Sequence, residues 1–294
     1  MKRLDHLREQ LSERDLAILI DLQQFRLLTT PQIRRLHFTT GHQTIGAATR
    51  ACTRVLTRLR AHGLIASLNR RIGGVRRGSA SQTWQLAATG DWVLRQFRGS
   101  GHRRRYHEPS TLFIKHTLAV AELGVLLREA HERKAIELVE LKVEGQAHRT
   151  FVGRNGVKDV LKPDLRAITA TADFEHHWLI EADRDKEHEP HLLRKLAAYH
   201  RYFNSGRYQA EYGLFPSVLW VVPGQARAEQ LAALIESTDP LPHELFEICT
   251  FGEFIDFVVL RTAGRESLSL PGILESAAGQ QSGGRGTPAE LPFD

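Results

Sequence analysis

The chain has 294 residues, 41% hydrophobic and 25% charged, a composition typical of a folded protein and too apolar for a disordered one. No apolar run reaches the ~20 residues that cross a bilayer, and the opening MKRLDHLREQ lacks the apolar stretch of a secretory signal. Two distant cysteines, Cys52 and Cys249, supply neither a disulfide framework nor a zinc site. At roughly 150 residues per domain, a cytoplasmic protein of two domains with no membrane partner is expected.

The formal net charge of +6 conceals an asymmetry. Residues 1–105 carry 20 Lys+Arg against 6 Asp+Glu, whereas residues 106–294 carry 20 against 28. Between Leu22 and Gly90 there are 11 arginines and no acid. A face that needs only solubility mixes both signs. One stripped of acids suits a polyanion, so double-stranded DNA is the expected partner.

From the N-terminus, SERDLAILIDLQQF predicts a helix with Ser12 as N-cap and Asp15 as the acid of a capping box. Thr30 and Pro31 open a short second helix over PQIRRLHF, with proline at its first position. A turn at Gly41 and His42 leads to a third helix from about Gln43 to His62, closed by Gly63. On that helix Ile45, Ala48, Cys52, Val55, Leu56 and Leu59 fall within one arc of about 100° and are expected to face the core. Arg50, Arg54 and Arg58 fall opposite, without an acidic partner in the acid-free run, and are expected to enter a DNA groove.

LIASLNR and QTWQLA then read as two strands, separated by RRIGGVRRGSAS. That loop has the composition of a wing, with Arg70, Arg71, Arg76 and Arg77 placed to meet phosphates. The expected domain is a winged helix-turn-helix over residues 1–97, GDWVLRQF being a further helical segment. Residues 98–110, RGSGHRRRYHEPS, read as a basic linker whose Arg103 to Arg105 face the DNA backbone. Winged helices also serve as protein-interaction modules, so DNA binding is one of two readings of this part.

Residues 111–262 alternate differently. A long amphipathic helix over 111–133 precedes three strands, IELVELKVEG, LKPDLRAITA and HHWLIEAD. HLLRKLAAYHRYFN is a helix, SVLWVVP a buried strand, ARAEQLAALIES a helix and LFEICTF a last short strand. The order α-β-β-β-α-β predicts a mixed sheet flanked by helices, so the chain as a whole is α+β or α/β. The tail, residues 263–294, ends in low-complexity GQQSGGRGTPAELPFD and is expected to be disordered.

The second and third of these strands meet through TATADF. A hairpin centred between Ala172 and Asp173 sets Asp164 opposite Glu181, and strand alternation adds Asp183 to the same face. Three gathered carboxylates are costly without a compensating cation. Oxygen-only ligands favour Mg²⁺ or Mn²⁺, which activates water for attack on a phosphodiester. His176, His177, His188 and His191 lie nearby, but exposed histidines at strand and helix starts are the simpler reading of them. His116 and Glu122 on the long helix read as core or surface, and Tyr199, Tyr202 and Phe203 as core. There is no GxGxxG fingerprint, Walker loop, HExxH or relaxase-type HxH.

KPDLRAIT, WLIEADRDKE and RKLAAYHRYF together resemble the PD-(D/E)xK nuclease superfamily, which implies a restriction-endonuclease-like core. By that resemblance Asp164 is the aspartate of the PD pair and Glu181 the first acid of the second motif. The lysine two positions later is replaced by Asp183, and Lys195 on the next helix is placed to substitute for it. Over residues 12–205 the chain also resembles the replication-relaxation family of plasmids and other mobile elements. The features are LTTPQIRRLHF, the arginine-bearing helix ending in LRAHGLI, FIKHTLAVAEL and the KPD…EAD pair. The resemblance implies a DNA-binding accessory role in replication, relaxation or transfer, beside other replication or conjugation proteins. Asp164, Glu181 and Lys195 would be catalytic, and Mg²⁺ would be the cofactor. The alternative is a winged-helix transcriptional regulator whose C-terminal domain senses a ligand or forms a homodimer.

Overall fold

The computed structural model of the chain describes residues 11–68, 81–98, 110–153, 156–184 and 188–264. Its contacts divide the chain into two units, with the boundary in sequence between Val125 and Leu126.

In the first unit, helix α1 (Glu13–Phe25) starts with the expected capping box. The Ser12 hydroxyl accepts from the Asp15 N–H at 3.2 Å, and the Asp15 carboxylate accepts from the Ser12 N–H at 3.0 Å. A short strand β1 (Leu27–Thr29) follows, then α2 (Thr30–His37), capped by Thr29 rather than Thr30. Helix α3 (Ile45–Ala61) is capped by Thr44, whose hydroxyl accepts from the Ala47 N–H at 3.1 Å. Strands β2 (Ile65–Ser67) and β3 (Thr83–Leu86) complete an antiparallel sheet in the order β1-β3-β2. β1 escapes sequence reading because all three of its residues are buried, which removes the alternation that marks a strand.

The core-facing arc of α3 needs one correction. Ala48, Cys52, Leu56 and Leu59 are buried, but Ile45 is 72% exposed. It has the right angular position, yet it sits in the first turn of the helix, where none of the surrounding core covers it. After α4 (Ala88–Arg98) comes the long helix α5 (Thr111–Glu132). Its first half belongs to the first unit. Ile114 and Leu118 pack with Leu27 and Leu68, and Glu122 pairs with Arg35 and accepts from the Gln32 amide at 2.9 Å.

The second unit is built on a mixed five-stranded sheet in the order β10-β9-β8-β7-β4. Strands β4 (Glu137–Val143), β7 (Leu165–Ala170) and β8 (Glu175–Ala182) run antiparallel in turn. β9 (Ser217–Val222) and β10 (Phe246–Thr250) run parallel to β8. Between β4 and β7 lies a separate hairpin, β5 (Arg149–Val152) with β6 (Lys158–Leu161), which the sequence reading missed. Its polar, glycine-containing segment carries no long apolar run.

Helices α6 (Glu189–Asn204) and α8 (Gln225–Glu236) cover one sheet face, with the short α7 (Arg207–Tyr212) beyond α6. There Leu179, Val218, Trp220 and Ile248 meet Leu192, Leu196, Leu231 and Ile235. On the other face α9 (Phe254–Thr262) brings Phe257 to within 6.4 Å of Trp178. Both faces of β9 are covered, which is why SVLWVV reads as one unbroken apolar run. The mixed α+β class and the α-β-β-β-α-β order are those expected, with the β5–β6 hairpin and α7 as additions. Among the described residues no helix is long and apolar enough to cross a membrane. The tail expected to be disordered lies outside the described residues, apart from Ala263 and Gly264.

Candidate functional site

Two clusters arise, one in each unit. In the first, α3 turns Arg50, Arg54 and Arg58 outward while its apolar side is buried. The side chains of Arg50 and Arg54 make no hydrogen bond or ion pair among the described residues. Arg58 differs from the expectation. Its Nη2 donates to both Asp15 carboxylate oxygens, at 2.6 and 2.7 Å, and Asp15 is buried. The acid comes from α1, outside the acid-free run, where the sequence assigned it only to the helix cap. Arg70, Arg71, Arg76, Arg77 and Arg103 to Arg105 lie outside the described residues.

In the second unit the β7–β8 hairpin has the expected centre. Leu165 pairs with Ile180 and Ala170 with Glu175, so one further step sets Asp164 opposite Glu181. The Thr171 N–H to Phe174 carbonyl bond, 2.8 Å, closes the turn. Asp164 is half-buried and its Oδ2 accepts from the Ala182 N–H at 2.9 Å. Glu181 is 1% exposed. Its Oε2 accepts from Lys195 Nζ at 2.9 Å and its Oε1 from the Tyr199 hydroxyl at 2.5 Å. Lys195 and Tyr199 are one turn apart on α6, so one helix face holds both carboxylate oxygens. Lys195 Nζ also lies 5.3 Å from the Trp220 ring centroid. Burial pushes the Glu181 carboxyl up to about 7, Lys195 opposes the rise, and the nearby Asp164 adds to it.

Asp183 departs from the expected triad. It is buried, and its Oδ2 accepts from Arg227 Nε at 2.8 Å, from the first turn of α8. Among the described residues no group of three or more His, Cys, Asp or Glu side chains is arranged to hold a metal ion. What remains together is Asp164 and Glu181. Mg²⁺ commonly binds through one or two carboxylates and keeps several waters, and an oxygen-only pair fits that chemistry.

The histidines do not join this centre. His176 bonds the Ser217 hydroxyl at 2.9 Å, and burial pulls its pKa down to about 4. His188 and His191 are exposed at the start of α6. His177 stands between Glu175, at 2.6 Å, and the Tyr208 hydroxyl, at 2.8 Å. That chain has the order acid, base and hydroxyl of an activated nucleophile. Tyr208 is fully buried, however, and burial raises the pKa of its phenol, so the chain ties α7 to the sheet. The sequence reading assigned Tyr199 to the core and missed its hydroxyl contact, although the Lys195–Tyr199 spacing was the available signal. Tyr202, also expected in the core, is fully buried there.

The chain matches the family model described as replication-relaxation over residues 19–218. No curated protein matches it. Among solved structures, restriction endonuclease FokI bound to DNA is similar at 12% identity and a TM-score of 0.24, over 89% of this chain and 46% of that one. The chain thus spans less than half of that structure's length.

Proposed function

The chain belongs to the replication-relaxation family, and from that premise we propose that it is a DNA-binding accessory protein of a plasmid or other mobile element, acting in replication, relaxation or transfer. The first unit is read as a winged helix: α1, β1, α2, α3, β2 and β3 follow that order, and α3 is the helix that enters the major groove. Residues 69–80, between β2 and β3, supply the arginine-rich wing by sequence. The observation that carries the reading is the exposed Arg50 and Arg54, without acidic partners among the described residues, in a stretch of chain free of acids.

The second unit is read as a nuclease-like domain of the PD-(D/E)xK type. Asp164 and Glu181 are the residues that would hold Mg²⁺, which when bound lowers the pKa of a water for attack on phosphorus. Lys195 compensates the buried Glu181 charge and takes the place of the lysine missing at Asp183. The Asp183–Arg227 pair favours a second reading, a regulator or scaffold whose second unit no longer cuts.

Full-length protein incubated with supercoiled plasmid and Mg²⁺ separates the two. Nicking that disappears in Asp164→Ala supports the nuclease-like reading; intact plasmid with either Mg²⁺ or Mn²⁺ leaves the scaffold. Binding is tested separately. Arg50→Ala or Arg54→Ala is expected to weaken duplex binding by about 1–3 kcal/mol where the residue reads a base. Arg58→Ala is expected to act on stability instead, by on the order of 1–3 kcal/mol, because buried Asp15 loses a charged donor. Equal affinities of wild type, Arg50→Ala and Arg54→Ala over several salt concentrations would remove the docking helix from the reading.

A further inference from the structure

We propose that Arg166 anchors an anion site that takes a phosphate group, and that the Glu140 carboxylate is its displaceable occupant. The site is separate from the Asp164–Glu181 pair and does not depend on whether that pair cuts. Arg166, on β7, is the only lysine or arginine buried among the described residues, with its side chain 7% exposed. Two of its guanidinium nitrogens, Nε and Nη1, are buried without a hydrogen-bond partner among the described residues. Nη2 meets an acid, Glu140 Oε1 at 2.6 Å, but that oxygen has no hydrogen bond either, so the ion pair is poorly aligned. Buried donors left unpaired on a charged group are costly, and a missing partner is one physical reason for them. Nη2 belongs to both forks of a guanidinium, side-on with Nε and end-on with Nη1. Glu140 at Nη2 therefore blocks both forks and fills neither.

The surroundings select the ligand. Glu140 stands on β4, the edge strand of the sheet, directly after the irregularity that shifts its register against β7. Such a bulge re-aims a side chain, and Glu140 is 25% exposed, so it has a way out to solvent that opens the guanidinium. Lys142, the cross-strand neighbour of Arg166, lies 3.8 Å from Glu140. Burial raises the Tyr202 and Tyr208 phenols, and Arg149 and Arg166 both oppose the rise, so two guanidiniums surround one pair of rings. Arg149 is engaged by Glu211 and the Tyr202 hydroxyl. Once Glu140 swings away, Arg166 and Lys142 are left facing the vacated place with positive charge. A phosphate suits it: its oxygens engage a guanidinium fork bidentately, and it carries up to two charges where a carboxylate carries one. Strand alternation sets Arg166 on the same sheet face as Asp164, about 7 Å further along β7, within reach of the same nucleic-acid strand.

The test uses the full chain, inorganic phosphate as the probe and chloride at matched ionic strength as the reference. Glu140→Gln keeps the side chain's shape and removes the competing charge, so it is expected to bind inorganic phosphate about tenfold more tightly than wild type in titration calorimetry. That gain is expected to vanish in Glu140→Gln/Arg166→Met and to persist when Arg50→Ala and Arg54→Ala are added instead, which separates this site from the α3 reading. Thermal melting gives a second measure. Glu140→Gln is expected to melt below wild type in chloride, because Arg166 has lost its acid, and to recover in phosphate. Equal phosphate affinity of wild type and Glu140→Gln, a gain that survives the loss of Arg166, or no recovery of melting in phosphate overturns the proposal. Competition then identifies the source. A DNA duplex that displaces inorganic phosphate from Glu140→Gln marks a backbone phosphate, and displacement by a 5′-mononucleotide alone marks a free nucleotide. Displacement by neither overturns the site.

Discussion

On the proposed nuclease-like reading, replacing Lys195 by methionine is expected to lower Mg²⁺-dependent nicking by about 10²–10⁴-fold and to move the remaining activity to higher pH. The reason lies in Glu181. Burial raises its pKa to about 7, and Lys195 at 2.9 Å is the principal opposing influence. Without the ammonium the carboxyl holds its proton to still higher pH, and a protonated carboxyl is a poor ligand for a hard cation. Nicking rates of wild type and Lys195→Met across pH provide the check. Equal pH profiles would detach Lys195 from the centre.

The same shift affects folding. The folded chain keeps the Glu181 proton up to about 7, while the unfolded chain loses it near 4.5. Between those values the folded state binds more protons, so this group's contribution to stability is full below 4.5 and falls as pH rises through the window. Glu181→Gln is expected to lack that decline. Denaturant midpoints across the same pH range compare the two, and parallel curves would contradict the assignment.

Gly90→Ala is expected to destabilise the first unit by on the order of 3 kcal/mol, beyond the middle of the overpacking range. A Cβ at Gly90 would lie 2.2 Å from the Leu64 carbonyl oxygen and 2.7 Å from Leu86 Cδ1. The leucine tip can rotate away. The carbonyl is held, because it accepts from the Ala87 N–H at 3.0 Å, and moving it breaks the junction between β2 and α4. DNA binding is expected to fall with the folded population. Thermal melting is the direct measurement, and a Gly90→Ala midpoint matching wild type would show that the junction can yield.

Local rules acted where periodicity and turn chemistry sufficed. The capping residues of α1, the apolar side of α3 from Ala48 to Leu59 and the strands of the five-stranded sheet all follow from spacing within a few residues. The symmetry of the β7–β8 hairpin did the same for the candidate site. Because pairing counts outward from the turn, the sequence alone set Asp164 against Glu181 across the hairpin.

Partners distant in the chain were decided only by the tertiary structure. Asp15 meets Arg58, and Asp183 meets Arg227, across separations that no local pattern encodes. The Tyr199 hydroxyl reaches Glu181 only once α6 is laid on the sheet. Exposure is of the same kind: Ile45 has a core residue's place on the helical wheel, but how far the surrounding core extends determines whether it is covered. The first half of α5 joins the first unit because Leu27 and Leu68 await Ile114 and Leu118. Sequence determines backbone geometry through interactions a few residues long, whereas burial and charge pairing depend on which distant surfaces come together.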